Sequence, residues 1–170
     1  DPRGSTQFSI TRFMVPHLMN YNGVGIFFDG DMLITRDIKE MFDLFDPKYA
    51  VQVPQHDYIP KTTDKMDGLK QTVYPRKQWS ASVIYNCDHS SNGKLSNYVV
   101  NRATPRYLHR FQWLKDEEIG NLPLEFNFLV EEQDVPDELP FNIHHTLGSP
   151  LFRNKQDVDF SDFYNKALDK

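Results

Sequence analysis

The residues best suited to chemistry stand together in Phe27-Phe28-Asp29-Gly30-Asp31, where an apolar run stops abruptly in two carboxylates. At i and i+2 the acids point to the same side of an extended backbone, and the glycine between them permits a tight turn at a strand end. Such a pair of hard oxygen donors holds a divalent cation. A second set of donors lies far along the chain at His144 and His145, after Phe141-Asn142-Ile143 and before Thr146-Leu147-Gly148-Ser149-Pro150. Neighbouring side chains on a strand face opposite ways, so one imidazole faces a site while the other packs or meets solvent. An imidazole beside two carboxylates suits Mn2+ better than Mg2+, which keeps its waters and prefers oxygen. The bare acidic motif is weak: with 17 Asp in 170 residues, chance supplies about one or two Asp-x-Asp matches, and Asp157-Val158-Asp159 is one.

Other candidates are softer. His56-Asp57 fits a metal phosphohydrolase of HD type, but further ligands at helical spacing are missing. Glu125, in Leu122-Pro123-Leu124-Glu125-Phe126-Asn127, is a charge among apolar neighbours; burial there makes an acid or base, exposure a rim carboxylate. Arg106 and Arg110 lie one helical turn apart, as on a solvated face or an anion site. Cys87 has no base beside it and reads as packing. P-loop, dinucleotide and serine-hydrolase signatures are absent.

These residues need elements to hold them. Ser5 or Thr6 caps a first expected helix, with Ile10, Phe13, Met14 and Leu18 at helical spacing and Pro16 kinking or ending it. Val24 to Phe28 is an unbroken apolar run and reads as a buried central strand. Asp37 and Glu40 form a capping-box pair for a helix whose stripe is Ile38, Met41, Phe42 and Phe45, closed by Pro47. Tyr49 to Val53 reads as a strand, Gln55 to Lys77 as a long functional or mobile loop, and Trp79 to Cys87 as a further strand. Thr104-Pro105 opens a helix through Leu114. Phe126 to Val130 and Phe141 to His145 are short strands, and Phe160, Phe163, Tyr164, Ala167 and Leu168 mark a closing amphipathic helix. Interleaved strands and helices predict an α/β class.

Length and composition bound the rest. The 170 residues, 39% apolar and 25% charged, suffice for one core in one domain over residues 1–170. A net charge of -5 disfavours nucleic acid, which needs phosphate neutralisation. The single cysteine excludes an internal disulfide, and no run of apolar residues is long enough for a membrane span. A reducing, cytoplasmic setting follows as an expectation.

Four blocks, Ser5 to Phe13, Ile26 to Leu33, Leu122 to Asn127 and His144 to Pro150, resemble in order and spacing the metal-dependent nucleotide-sugar glycosyltransferases of GT-A fold. Glycogenin-like and bacterial galactosyltransferase-like enzymes, and domains of this type in large algal viruses, share the pattern. The resemblance implies a mixed, mainly parallel sheet flanked by helices, with the family's first strand and helix upstream of Asp1. It implies Mn2+, with Mg2+ as the alternative ion, held by Asp29, Asp31 and His144. The donor, a UDP-linked sugar, is expected to meet Arg12, Asp29, Gly30, Asp31, Asn127 and Gly148, and the acceptor is a glycan. For an inverting course Glu125 is the first base to test and Asp57 the second; a retaining course needs none. Relatives carry a phosphate-binding lysine where Ser149, Pro150 and Leu151 stand, leaving Arg153 or Lys155 as substitutes. A viral source would put the protein in the host cytoplasm. The rival readings are a metal-dependent phosphohydrolase and a non-catalytic carbohydrate-binding domain of the same fold; the oligomeric state is left open.

Overall fold

Val83 and Tyr85 face one side of their strand and Ile84 the other, and all three are buried, so that strand must run through the interior. A computed structural model describes residues 9–57 and 75–168 and places it there. The strands in chain order are β1 (Val24–Phe28), β2 (Met32–Ile34), β3 (Val51–Pro54), β4 (Ser82–Asn86), β5 (Ile119–Leu122), β6 (Phe128–Leu129) and β7 (Asn142–His144). They form a four-stranded sheet in the order β1-β4-β3-β5 and a three-stranded sheet in the order β2-β7-β6. Short helices flank them: α1 (Val15–Leu18), α2 (Lys39–Phe42), α3 (Asn97–Arg102), α4 (Pro105–His109) and α5 (Ser161–Leu168).

The class is α/β with mixed sheets, but the expected parallel majority is not found. Among the described residues the pairs β1–β4, β3–β4 and β2–β7 are antiparallel, and β3–β5 and β6–β7 are parallel. Val51, Val53, Val83 and Tyr85 pack on one face of the larger sheet against Phe13, Leu108, Phe111 and Trp113. Ile84 and Leu122 pack on the other against Met41, Phe126 and Phe141. A third cluster, Phe128, Val130 and Ile143, seals the small sheet.

Several expected elements change. β1 lies at the edge of its sheet rather than the centre. Its residues are apolar on both faces because α1 lies over Gly25 on one side and Val24, Ile26 and Phe28 meet the Met41–Phe141 cluster on the other. The first helix is a 3-10 turn over Thr11–Met14 running into α1, with Pro16 tolerated in the first turn of α1; residues 1–8 lie outside the described part. The second helix shrinks to Lys39–Phe42. Asp37 does accept from the Lys39 N–H, but Glu40 turns to Arg36 instead of closing the capping box, and Phe42 stays largely exposed. The helix opened by Thr104, whose hydroxyl accepts from the Tyr107 N–H at 3.1 Å, stops at His109 because Phe111 takes a left-handed φ of 53°. Trp79–Ala81 is a 3-10 turn before β4, and most of the long loop, 58–74, is outside the described residues. Among the described residues no helix is long and apolar enough to cross a membrane.

Candidate divalent-cation site

The two acids meet because of a turn, not because of an extended backbone. β1 ends at Phe28, the Asp29 N–H donates to the Ala81 carbonyl at 2.9 Å, and the chain reverses so that the Met32 N–H reaches the Asp29 carbonyl at 3.3 Å. It then enters β2, in the other sheet. Asp29-Gly30-Asp31 is therefore the crossing between sheets. Gly30 is not held there by conformation: its φ is not left-handed, and a Cβ would meet nothing within 4 Å. Across the small sheet Met32 pairs with His144, and the His145 N–H donates to the Asp31 carbonyl at 3.1 Å, so the end of β7 lies beside Asp31. One ligand atom each from Asp29, Asp31 and His144 lie within 4.8 Å of one another.

Charge is arranged tightly around this cluster. Arg12, on the Thr11–Met14 turn, grips Asp29 with both terminal nitrogens, Nη2 to Oδ1 at 2.6 Å and Nη1 to Oδ2 at 3.0 Å. The same guanidinium donates to the carbonyls of Ser9 and Ser80 and lies over the Phe27 ring. Burial pushes the Asp29 carboxyl up, and Arg12 and His144 recover only part of that shift. Asp31 is also desolvated, but His144 beside it, with Arg12 behind, holds it below the ordinary range. His144 Nε2 stands 3.2 Å from Asp31 Oδ1. Asp31 is the open side of the cluster, with 45% of its side chain exposed, whereas the His144 side chain is 3% exposed.

His144 is braced from behind. Its Nδ1 lies 2.8 Å from Asn127 Oδ1, while Asn127 Nδ2 donates to the Gln78 carbonyl at 3.0 Å. A carbonyl only accepts, so the Asn127 amide must turn its nitrogen to Gln78 and its oxygen to His144. The imidazole therefore donates through Nδ1 and presents Nε2 to the acids, the arrangement metal-binding histidines use. His56 Nε2 in turn donates to the Asn127 carbonyl at 2.9 Å, and the His56 carbonyl accepts from Trp79 Nε1. Gln78, with a left-handed φ of 68°, reaches from the same turn to the Thr146 hydroxyl at 2.9 Å.

The expected site residues thus divide. Asp29, Asp31 and His144 come together. Asn127 stands behind the histidine, and Arg12 is engaged with Asp29 and two carbonyls. Gly148, at φ 121°, closes the turn after β7 by donating to the His145 carbonyl. Glu125 does not join them: it is not buried, and its carboxylate is paired with Arg36 at 2.6 Å. Asp57 is exposed and also outside the cluster. His56 is not a metal ligand, because its ring is spent on Asn127. Arg106 is exposed, Lys155 is paired with Glu131, and Cys87 is buried in the core. Gln78 was not foreseen, since a left-handed glutamine between charged and aromatic neighbours leaves no sequence signal.

Comparison with known proteins follows this geometry. No protein-family model and no solved structure matches the chain. A curated plant protein does, at 50% identity over 171 aligned residues and 98% of the chain. The chain is similar to Protein CDI of Arabidopsis thaliana. It spans 66% of that relative's length, just under two thirds. This corrects the expected likeness to glycogenin-like and galactosyltransferase-like enzymes and to algal-virus domains: the similarity that is found is to a plant protein whose name carries no glycosyltransferase activity.

Proposed function

We propose that the chain binds a divalent cation, Mn2+ in preference to Mg2+, through Asp29, Asp31 and His144, and uses it to activate a UDP-linked sugar for transfer to a glycan acceptor, on a fold of GT-A type. The observation that carries this reading is the donor set itself: two carboxylates and an imidazole converging, with the imidazole held from behind so that its free nitrogen meets the acids. A polar cluster of this kind needs a counter-charge, and Arg12 pairs directly with Asp29 while Asp31 stands on the open side.

The donor set fits an ion with mixed oxygen and nitrogen preference. Held by Asp29, Asp31 and His144, such an ion would supply positive charge to offset that developing on a departing diphosphate. The protein's own groups do the rest. Arg12 fixes the Asp29 carboxylate and adds positive charge next to the anion. Asp31, on the open side, lies where a donor would approach. The phosphohydrolase alternative loses support because its signature pair is dispersed: His56 faces a backbone carbonyl and Asp57 stands outside the cluster.

Titration of UDP into the protein with Mn2+, with Mg2+ and with chelator tests the proposal. Binding that requires Mn2+ and is lost in both Asp29→Asn and Asp31→Asn supports it, and donor turnover then identifies the sugar. UDP binding that persists in chelator, or Mn2+ binding indifferent to both substitutions, overturns it. Glycan binding in chelator without donor turnover would indicate a non-catalytic carbohydrate-binding domain instead.

A further inference from the structure

Asn127 is fully buried and held at three atoms. Oδ1 accepts from His144, Nδ2 donates to the Gln78 carbonyl, and its own carbonyl accepts from His56. Turning the amide over would set Oδ1 against the Gln78 carbonyl oxygen and Nδ2 against the Nδ1–H of His144. Both hydrogen bonds would be lost in a buried place, where neither orphaned group can turn to water instead. The amide therefore has one orientation, and it offers His144 Nδ1 an acceptor and never a donor.

A neutral imidazole carries a single N–H. Without Asn127 the acceptor facing the ring is Asp31 Oδ1, 3.2 Å from Nε2. With nothing left to accept from Nδ1, the proton would move to Nε2 and point at the acids, where the carboxylate accepts it. The nitrogen lone pair would then face the interior, and the cluster would keep two carboxylates but lose its third ligand. An ion that relies on oxygen and water tolerates that loss, whereas one that gains from imidazole does not.

We propose that Asn127, locked by Gln78, is the positioning residue that gives this site its preference for Mn2+ over Mg2+, by keeping the His144 proton on Nδ1. The inference rests on the metal reading above and adds to it a residue that touches neither ion nor substrate.

The test uses the whole protein and the metals alone. Mn2+ and Mg2+ are titrated into the wild type, Asn127→Leu, Asn127→Asp and Asp31→Asn, and the His144 ring nitrogens are read by 15N NMR without metal at alkaline pH. Asn127→Leu is expected to weaken Mn2+ by roughly 10- to 100-fold while changing Mg2+ far less, and to move the ring proton to Nε2. Asn127→Asp keeps an acceptor for Nδ1–H although its second oxygen opposes the Gln78 carbonyl, so it should retain the preference for Mn2+ and the Nδ1–H ring even where it lowers stability. That contrast separates positioning from folding, since a merely structural role would make the aspartate at least as harmful as the leucine. The proposal falls if Asn127→Leu keeps both its Mn2+ preference and the Nδ1–H ring, or loses both metals equally. A wild type that binds no divalent ion, or binds one equally well as Asp31→Asn, overturns the metal reading and the preference with it. The metal-free ring signals tell that outcome from the others.

Discussion

His56 is a buried histidine whose Nε2 donates to the Asn127 carbonyl, and this makes it an acid-sensitive brace. Burial, helped by the nearby His144 and opposed by the bond to Asn127, lowers its pKa from 6.5 to about 4. A base whose folded pKa is depressed binds fewer protons folded than unfolded between those two values. Its share of stability is therefore complete above the unfolded pKa of 6.5 and is lost as pH falls toward about 4. The loss is about 2 kcal/mol at about pH 5 and about 3 kcal/mol at about pH 4. Carboxylates titrate over part of the same range, so a difference measurement is needed. His56→Gln keeps an N–H for the Asn127 carbonyl but does not titrate. Urea unfolding of both proteins from about pH 8 to about pH 5 should show the wild type losing about 2 kcal/mol more than the variant. Stability curves that run parallel across that range would refute the buried, neutral state of His56, and with it the brace behind Asn127.

Three further outcomes follow from the same geometry. Arg12→Ala strands a largely buried carboxylate, so the Asp29 pKa should rise further, Mn2+ binding should shift to higher pH, and stability should fall by about 3 kcal/mol, read by metal titration at several pH values and by denaturation. Gly25→Ala places a Cβ 2.5 Å from Val15 Cγ1, which presses α1 off β1 and displaces the preceding turn that carries Arg12; a loss of about 1–3 kcal/mol in urea unfolding is expected, with weaker Mn2+ binding beside it. Glu125→Gln removes only the ion pair with Arg36 and should leave Mn2+ affinity unchanged; a clear loss would place that carboxylate in the site after all.

What could be read from the sequence was whatever rests on local pattern. The apolar run into Asp29 and the Thr104 cap both mark real element ends, because burial periodicity and capping act over a few residues. The three-donor cluster was also anticipated, yet for a partly different reason, since a turn between two sheets, not an extended strand, brings Asp29 to Asp31. The place of β1 at a sheet edge was not readable, because an edge strand covered on both faces is as apolar as a central one. The mixed pairing was hidden for the same reason: strand direction depends on crossovers, not on strand composition. The supporting roles were hidden most deeply: His56 and Asn127 were candidates for other tasks and Gln78 for none. His56 and Asn127 act through hydrogen bonds to backbone carbonyls, and a carbonyl is present at every position, so no residue type announces the partner.

The choice between the two adjacent histidines turns on register. A slip of one residue between β2 and β7 would exchange His144 for His145 at the acids and carry Ile143 out of the interior. In the observed register His145 is buried, and among the described residues neither ring nitrogen has a hydrogen-bond partner; its ring meets the edge of Tyr164 at 5.2 Å. An orphaned buried polar group costs roughly 1–3 kcal/mol, so His145 alone argues for the slip. Against it stand the burial of Ile143 with Phe128 and Val130, worth roughly 1.5–3 kcal/mol for that side chain, and the bonds that Asn142 donates to the Phe126 carbonyl and His144 to Asn127. Each of those bonds adds about 1 kcal/mol and all are lost together on slipping. The burial of Ile143 and these bonds hold the observed register, and they do so through groups that bind no ion. The hydrophobic floor of the small sheet and the Asn127 bracket therefore select the same nitrogen for the acidic turn.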